Sequence, residues 1–227
     1  MRAVLSVIIP TLNAGAALPV CLGALVEGLE VGVIRELVVS DGGSGDATLQ
    51  IADVAGAVIV QGAASRGGQL RRGAQVARGE WLLFLHADTV LPAGWPAEVT
   101  AQIGRGGPAC FRLSYDAAGV MPRLVAGWAN LRTKIFGLPY GDQALLISRS
   151  DYDAAGGFAD IPLMEDVAMA RALNGRIALM PLAVTTSAAR YRRDGWLRRG
   201  GRNLWLVIRY FCGADPVQLA IAYRRSK

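Results

Sequence analysis

Three polar clusters stand where apolar runs end. Pro10-Thr11-Leu12-Asn13 follows VLSVII, Asp41-Gly42-Gly43-Ser44 follows ELVVS, and His86-Ala87-Asp88 follows WLLFL. A carboxylate in the position of Asp88 can hold a divalent cation through hard oxygen ligands, and a cation so held can bind a diphosphate. Equally, Asp88 can cap the turn into the helix begun by Pro92. Asp41 is suited to accept hydrogen bonds from a base N–H, and the Gly42–Gly43 turn lets the backbone approach a ligand closely. The alternatives are local: Ser44 or Asp46 as a helix N-cap, Thr11 and Asn13 as turn residues. A further acidic pair, Glu165-Asp166, opens MEDVAMARAL after the turn-rich GGFADIPLM. One of these acids can serve as a general base facing a crevice, or both can simply meet the positive end of a helix dipole.

Such residues act together only on a scaffold that brings successive strand ends to one side. Trp81–Leu85 is wholly apolar, as in a strand covered on both faces of a mostly parallel sheet, and open sheets of that kind bind ligands at their carboxyl edge. Strands are predicted at Val4–Ile9 (stopped by Pro10), Glu36–Ser40, Ala57–Gln61, Trp81–Leu85, Cys110–Tyr115 and Ala144–Ser148. Helices are predicted at Leu18–Leu29, Ala47–Val54, Gly67–Ala77, Pro92–Ile103, Met121–Phe136, Glu165–Leu173, Gly195–Gly213 and Pro216–Tyr223. The alternation is that of βα units, an α/β fold with a central mostly parallel sheet flanked by helices.

The 227 residues, 52% of them apolar, suit one large α/β domain with a small C-terminal extension and exclude disorder. No apolar run approaches the roughly 20 residues of a spanning helix, and the N-terminus runs straight into a strand pattern, so a cytoplasmic protein is expected. Cys21, Cys110 and Cys212 have no ligand or disulfide spacing and read as reduced core residues. His86 is the single histidine, which excludes a multi-histidine metal cage. The net charge of +6 is uneven. From Ala188 onward Arg190, Arg192, Arg193, Arg198, Arg199, Arg202, Arg209, Arg224, Arg225 and Lys227 face only Asp194 and Asp215. That tail suits an anionic partner, phospholipid head groups or a polyprenyl phosphate before nucleic acid.

Neither a G-x-G-x-x-G dinucleotide fingerprint nor a G-x-x-x-x-G-K-[ST] phosphate loop is present. SVIIPTLNAG, VVSDGGSGDAT, ARGEWLLFLHADT and MEDVAMARAL occur in that order, at spacings that resemble the inverting family-2 glycosyltransferases of the GT-A fold. The HADT form and YGDQALLISRSDYDAAGGF are most similar to the bacterial radical-SAM/selenodomain-associated subgroup. The resemblance runs from about Val4 to Ala189, which divides the chain into a transferase domain, 1–189, and a basic amphipathic helical extension, 190–227.

The resemblance implies a nucleotide-diphosphate-sugar donor, a hydroxyl acceptor and a Mn²⁺ or Mg²⁺ cofactor. It implies that Thr11, Asn13 and Asp41, with Pro10 and Gly43 beside them, hold the nucleoside, and that Arg66 is a basic contact near the nucleotide. Asp88 matches the last acid of a D-x-D-like motif and would bind the metal. Asp166 matches the catalytic base, with Glu165 orienting it or the acceptor, and Gly141, Asp142 and Gln143 would face the donor sugar or acceptor. His86 replaces the first acid of D-x-D, so metal binding rests on Asp88 alone or is shared with His86. No Q-x-x-R-W motif of processive synthases occurs, which favours one sugar per turnover. The rival readings are a nucleotidyltransferase and a non-catalytic membrane- or partner-binding protein on a degenerate transferase fold. Trp196, Leu197, Leu204, Trp205, Val207, Ile208, Tyr210 and Phe211 either grip the inner face of an anionic membrane peripherally or pack on protein.

Overall fold

The apolar runs assemble as strands of one sheet. A computed structural model of the chain describes residues 3–224; Arg225 and Lys227 of the basic tail lie outside the described residues. In order come β1 (Leu5–Thr11), α1 (Leu18–Gly23), α2 (Val26–Glu30), β2 (Ile34–Asp41), α3 (Thr48–Val54), β3 (Val58–Gln61), α4 (Arg66–Val76), β4 (Trp81–Phe84), β5 (Thr89–Val90), α5 (Trp95–Arg105), β6 (Ala109–Tyr115) and α6 (Val120–Phe136). After a 3₁₀ turn at Gly141–Gln143 come β7 (Leu145–Ser148), α7 (Arg149–Ala154), α8 (Glu165–Ala172), β8 (Ala178–Thr186), α9 (Ala189–Asp194), α10 (Trp196–Phe211) and α11 (Pro216–Arg224).

The sheet order is β3-β2-β1-β4-β7-β6-β8-β5. The first four strands pair in parallel, β7 is antiparallel to β4 and β6, β8 is parallel to β6, and β5 is antiparallel to β8. Both faces are covered, as the unbroken apolar runs require. Leu5, Val7 and Ile9 join Val39, Leu83, Trp95 and Phe111 on one side, while Ile8 joins Val38, Leu82, Phe84 and Leu70 on the other.

Four local expectations are corrected, each for a visible reason. The strand at residues 4–9 continues through Pro10 to Thr11. Backbone groups alternate along β1, with Ile8 O accepting from Leu85 N and Thr11 O from Gly42 N. The donor that Pro10 lacks would therefore point to the β4 side, where pairing has already ended at Ile8–Phe84. The helix expected over 18–29 is two short ones because the Trp95 indole N–H takes the carbonyl of Ala24 at 2.9 Å, leaving Gly28 N to bond Leu25 O. The unexpected strand β8 contains Pro181, which sits in a register irregularity: Cys110 pairs with Leu179, but Arg112 pairs with Ala183. Cys21 and Cys110 are core residues, whereas Cys212, past the end of α10, is exposed.

The C-terminal helices pack back on the body. Leu206, Val207 and Leu219 cover Met164 and Val167 of the α8 region, and Tyr191 and Trp196 stack with centroids 4.8 Å apart beside Tyr115. No helix among the described residues is long and apolar enough to cross a membrane.

The start of α4 is pressed against the segment before α8: Gly67 N donates to Ile161 O at 3.2 Å, and a Cβ at Gly67 would lie 1.9 Å from Ala159 O. Alanine normally gains about 1 kcal/mol over glycine in a helix, but overpacking costs about 1–3 kcal/mol, and here the obstacle is backbone. Gly67→Ala is therefore expected to lower the unfolding midpoint in urea. An unchanged or raised midpoint would show that the segment yields freely.

Candidate active site

The strand-end clusters meet at one edge of the sheet. At the ends of β1 and β2, Thr11 Oγ1 donates to Asp41 Oδ1 at 2.9 Å, Ser44 Oγ donates to the same oxygen at 2.5 Å, and Gly43 N and Ser44 N donate to Oδ2 at 2.7 and 2.8 Å. Asp41 is 0% exposed. Burial alone would raise its pKa, but the bonds from Ser44, Thr11 and Gly43 outweigh it and hold the carboxyl below its ordinary range. Its four acceptor positions are used within the chain, and neither Asp41 nor Gly43 lines the cleft, so here Asp41 fixes the turn that follows β2 and does not present a free oxygen to a base. Asn13, at φ +51°, adopts the left-handed conformation that asparagine tolerates. Its N–H donates to Ser44 Oγ, and its Oδ1 accepts from Gly45 N.

Arg66, the first residue of α4, reaches both His86 and α8. Its Nε lies 3.2 Å from Glu165 Oε1, and its Nη2 lies 3.1 and 3.2 Å from the two ring nitrogens of His86. An atom equidistant from both nitrogens sits over the imidazole face, not in its plane. Burial first, then Arg66 and Arg190, push the His86 pKa well below its ordinary value, so the ring stays neutral. Glu165 is 2% exposed, with Oε2 unpartnered. Burial raises its pKa to about 7, opposed by Arg66 and reinforced by Asp166.

Asp166 lies in the first turn of α8, after Met164 at φ +69°. Its Oδ2 accepts from Gly141 N at 2.9 Å, which ties the base candidate to the 3₁₀ turn. Asp142 in that turn has a buried, unpartnered Oδ1, and burial followed by the charges of Asp88 and Asp166 raises its pKa to about 6. Gln143 is a correction: it faces the core instead of a substrate. Its Oε1 accepts from Tyr140 N and Thr133 Oγ1, and its Nε2 donates to Phe111 O, so it latches the turn. Arg132 lies over the Tyr140 ring at 3.5 Å and braces the same turn.

Two cavities share this edge. An open cleft of about 480 Å³ is lined by Pro10, Thr11, Asn13, Arg66 and Asp88, and also by Arg190, Arg193, Arg199 and Arg202. Its size is that of a small-ligand site. A smaller cavity of about 110 Å³ holds Asp142, Asp166, Gly141 and Tyr115. Arg66, His86, Asp88, Arg190, Arg199 and Tyr223 line both and mark their boundary. The arginines of the tail, read from the sequence only as a general anionic attractor, are thus part of the cleft. Arg193, Arg199 and Arg202 share the single carboxylate of Asp194, at 2.8, 2.6 and 3.5 Å, which leaves net positive charge on that wall. The sequence signal was the excess of arginine over acid after Ala188; the direction of α9 and α10 was not in it.

The donor set for a divalent metal is narrow. Among the described residues no three His, Cys, Asp or Glu side chains form a metal cage. Asp88 makes no hydrogen bond or ion pair among them, and one free carboxylate suits Mg²⁺ or Mn²⁺ when substrate phosphates complete the shell. His86 fits poorly as a ligand, because the Arg66 guanidinium lies over its ring.

Known proteins share the family and the fold. The family model described as Glycosyl transferase family 2 matches residues 6–137, more than half of the chain. Over 111 residues the chain is 40% identical to PGL/p-HBAD biosynthesis glycosyltransferases of Mycobacterium tuberculosis and Mycobacterium bovis, covering 45% of this chain and 43% of each relative, less than half their length. Among solved structures, glucosyl-3-phosphoglycerate synthase from Mycobacterium tuberculosis, in complex with Mn²⁺, UDP and glucosyl-3-phosphoglycerate, superposes with a TM-score of 0.55 at 21% identity, covering 81% of this chain and 70% of that one. TarS 1-349 from S. aureus, in complex with UDP-GlcNAc, gives 0.60 at 17% identity, covering 82% and 58%. At these identities the structures speak for the fold.

The raised pKa of Glu165 has a thermodynamic consequence. Between pH 4.5, its ordinary value, and about 7 the folded chain retains a proton that the unfolded chain has released. The stability this group contributes is complete below that window and is lost as pH rises through it. Glu165→Gln is expected to flatten the fall of melting temperature across the window. An unchanged slope would remove Glu165 as its source.

Proposed function

The chain belongs to glycosyl transferase family 2, and on that premise we propose that it moves one sugar at a time from a nucleoside-diphosphate donor to a hydroxyl acceptor, with inversion at the anomeric carbon. The enzyme is a glycosyltransferase with a GT-A-like fold, a mixed sheet flanked by helices. Within the family we assign it to the radical-SAM/selenodomain-associated subgroup, on the HADT and YGDQALLISRSDYDAAGGF segments.

What carries the reading is the boundary between the two cavities. A nucleoside in the larger cleft, against Pro10, Thr11 and Asn13, and a sugar in the smaller cavity, beside Asp166, leave the diphosphate between Asp88, Arg66, Arg190 and Arg199. Asp88 would hold Mn²⁺ or Mg²⁺ there, and the ion would supply Lewis-acid stabilisation of the leaving diphosphate. The arginines add fixed positive charge and several N–H donors to phosphate oxygens. Asp166 accepts the acceptor hydroxyl's proton as that oxygen bonds to the anomeric carbon. The bond from carbon to the diphosphate oxygen breaks, and its electron pair leaves with the nucleoside diphosphate. Gly141 N–H holds Asp166 Oδ2 and Val167 N–H holds Oδ1, which leaves one lone pair on each oxygen to take the proton. Family membership weighs against the nucleotidyltransferase alternative, whose product would be pyrophosphate.

Asp166→Asn removes the base and keeps the size and polarity of the side chain. Transfer, read as release of nucleoside diphosphate in the presence of acceptor, is expected to fall by about 10²–10⁴, while calorimetric affinity for the diphosphate stays near wild type. Full activity in the variant would assign the base elsewhere.

A further inference from the structure

More than half of the large apolar side chains exposed among the described residues lie on α6 and α10, which pack beside one another. On α6, Val120, Leu124, Trp128, Leu131 and Ile135 recur at spacings of four, four, three and four, one face of a helix. On α10, Leu197, Leu204, Ile208 and Phe211 do the same, with Leu197 74% exposed. A monomer rarely leaves such stripes bare without a partner. Trp196, Val207 and Tyr210, from the same apolar set, instead pack inward. The face is therefore what remains after the helix has packed, and not a helix awaiting a core.

Charge selects the partner. Neither helix contains an aspartate or glutamate, and Arg123, Lys134 and Arg198 stand exposed beside the stripes. Two copies meeting through this face in a two-fold contact would bring like charges together, which disfavours self-association. An anionic bilayer meets both features: its acyl boundary takes the apolar stripes, its interface takes tryptophans such as Trp128 and Trp205, and its head groups take the cations. We propose that α6 and α10 together form a docking face for an anionic lipid surface. The face is separate from the cleft and does not rest on the reaction assigned there. On α10 the cleft side is distinct: Arg199, 4% exposed, and Asn203 line the smaller cavity.

The test is co-sedimentation of the full chain, at low salt, with vesicles of phosphatidylcholine alone or mixed with phosphatidylglycerol. Binding is expected to be at least about tenfold tighter to the anionic vesicles and to weaken with salt. Leu124→Glu with Leu131→Glu, and separately Leu197→Glu with Ile208→Glu, should each abolish it while the melting temperature and nucleotide binding persist. Should either pair fail to fold, Arg123→Gln with Lys134→Gln and Arg198→Gln should remove the preference for phosphatidylglycerol without altering the apolar face. Absence of wild-type binding, or binding that survives all these changes, overturns the proposal. So does a dimer in sedimentation velocity that the glutamate variants dissolve, which would make a second copy the occupant.

Discussion

The candidate active site turns on Arg66. Its guanidinium joins the start of α4 to Glu165 on α8, covers the ring of His86 beyond β4, and lines both cavities. Residues from distant parts of the chain therefore share one charged centre. Removing one partner of a fully buried pair costs about 3–5 kcal/mol. Arg66 is 37% exposed at its side chain, so solvent screening brings the pair nearer to about 1 kcal/mol. Its larger effect is positional: without it, Glu165 is a buried acid with neither oxygen partnered.

Around that centre acidic and basic side chains line the same space. Asp88, Asp142 and Asp166 gather at the smaller cavity, and burial first, opposed by Arg66 and reinforced by the other two acids, raises the pKa of Asp142. Arg190, Arg193, Arg199 and Arg202 line the cleft, Arg190 and Arg199 at its boundary with the smaller cavity, and Asp194 pairs with the last three of the four. A polyanion entering the cleft meets the arginines; a hydroxyl beside Asp166 meets acceptors. The two cavities thus meet along a boundary where Asp88 stands among Arg66, Arg190 and Arg199.

Much of this was visible in the residues because strand ends in a parallel sheet must share a side. Asp41, Asp88 and Asn13 could be brought to one edge from apolar runs alone, and the run Trp81–Leu85 announced a strand covered on both faces. What failed was set by contacts remote in sequence. Trp95 captures the Ala24 carbonyl and divides one helix into two, and the strand through Pro181 exists because β6 absorbs the irregularity. Gln143, polar and next to Asp142, gave no local sign that it would turn inward to Phe111 and Thr133. The arginines after Ala188 were conspicuous, but charge has no address until the helices carrying it are packed, and packing put several of them in one cleft with the residues at the end of β1.

The central claim is that strand-end residues and tail arginines form one donor cleft. It is tested most directly by calorimetric binding of a nucleoside and its diphosphate to wild type and to Arg190→Gln, with the base first selected from UDP, GDP, dTDP, CDP and ADP. The account predicts that the variant loses about tenfold or more in affinity for the diphosphate and little for the nucleoside. Equal affinity of both proteins for the diphosphate, or equal loss for both ligands, would contradict it.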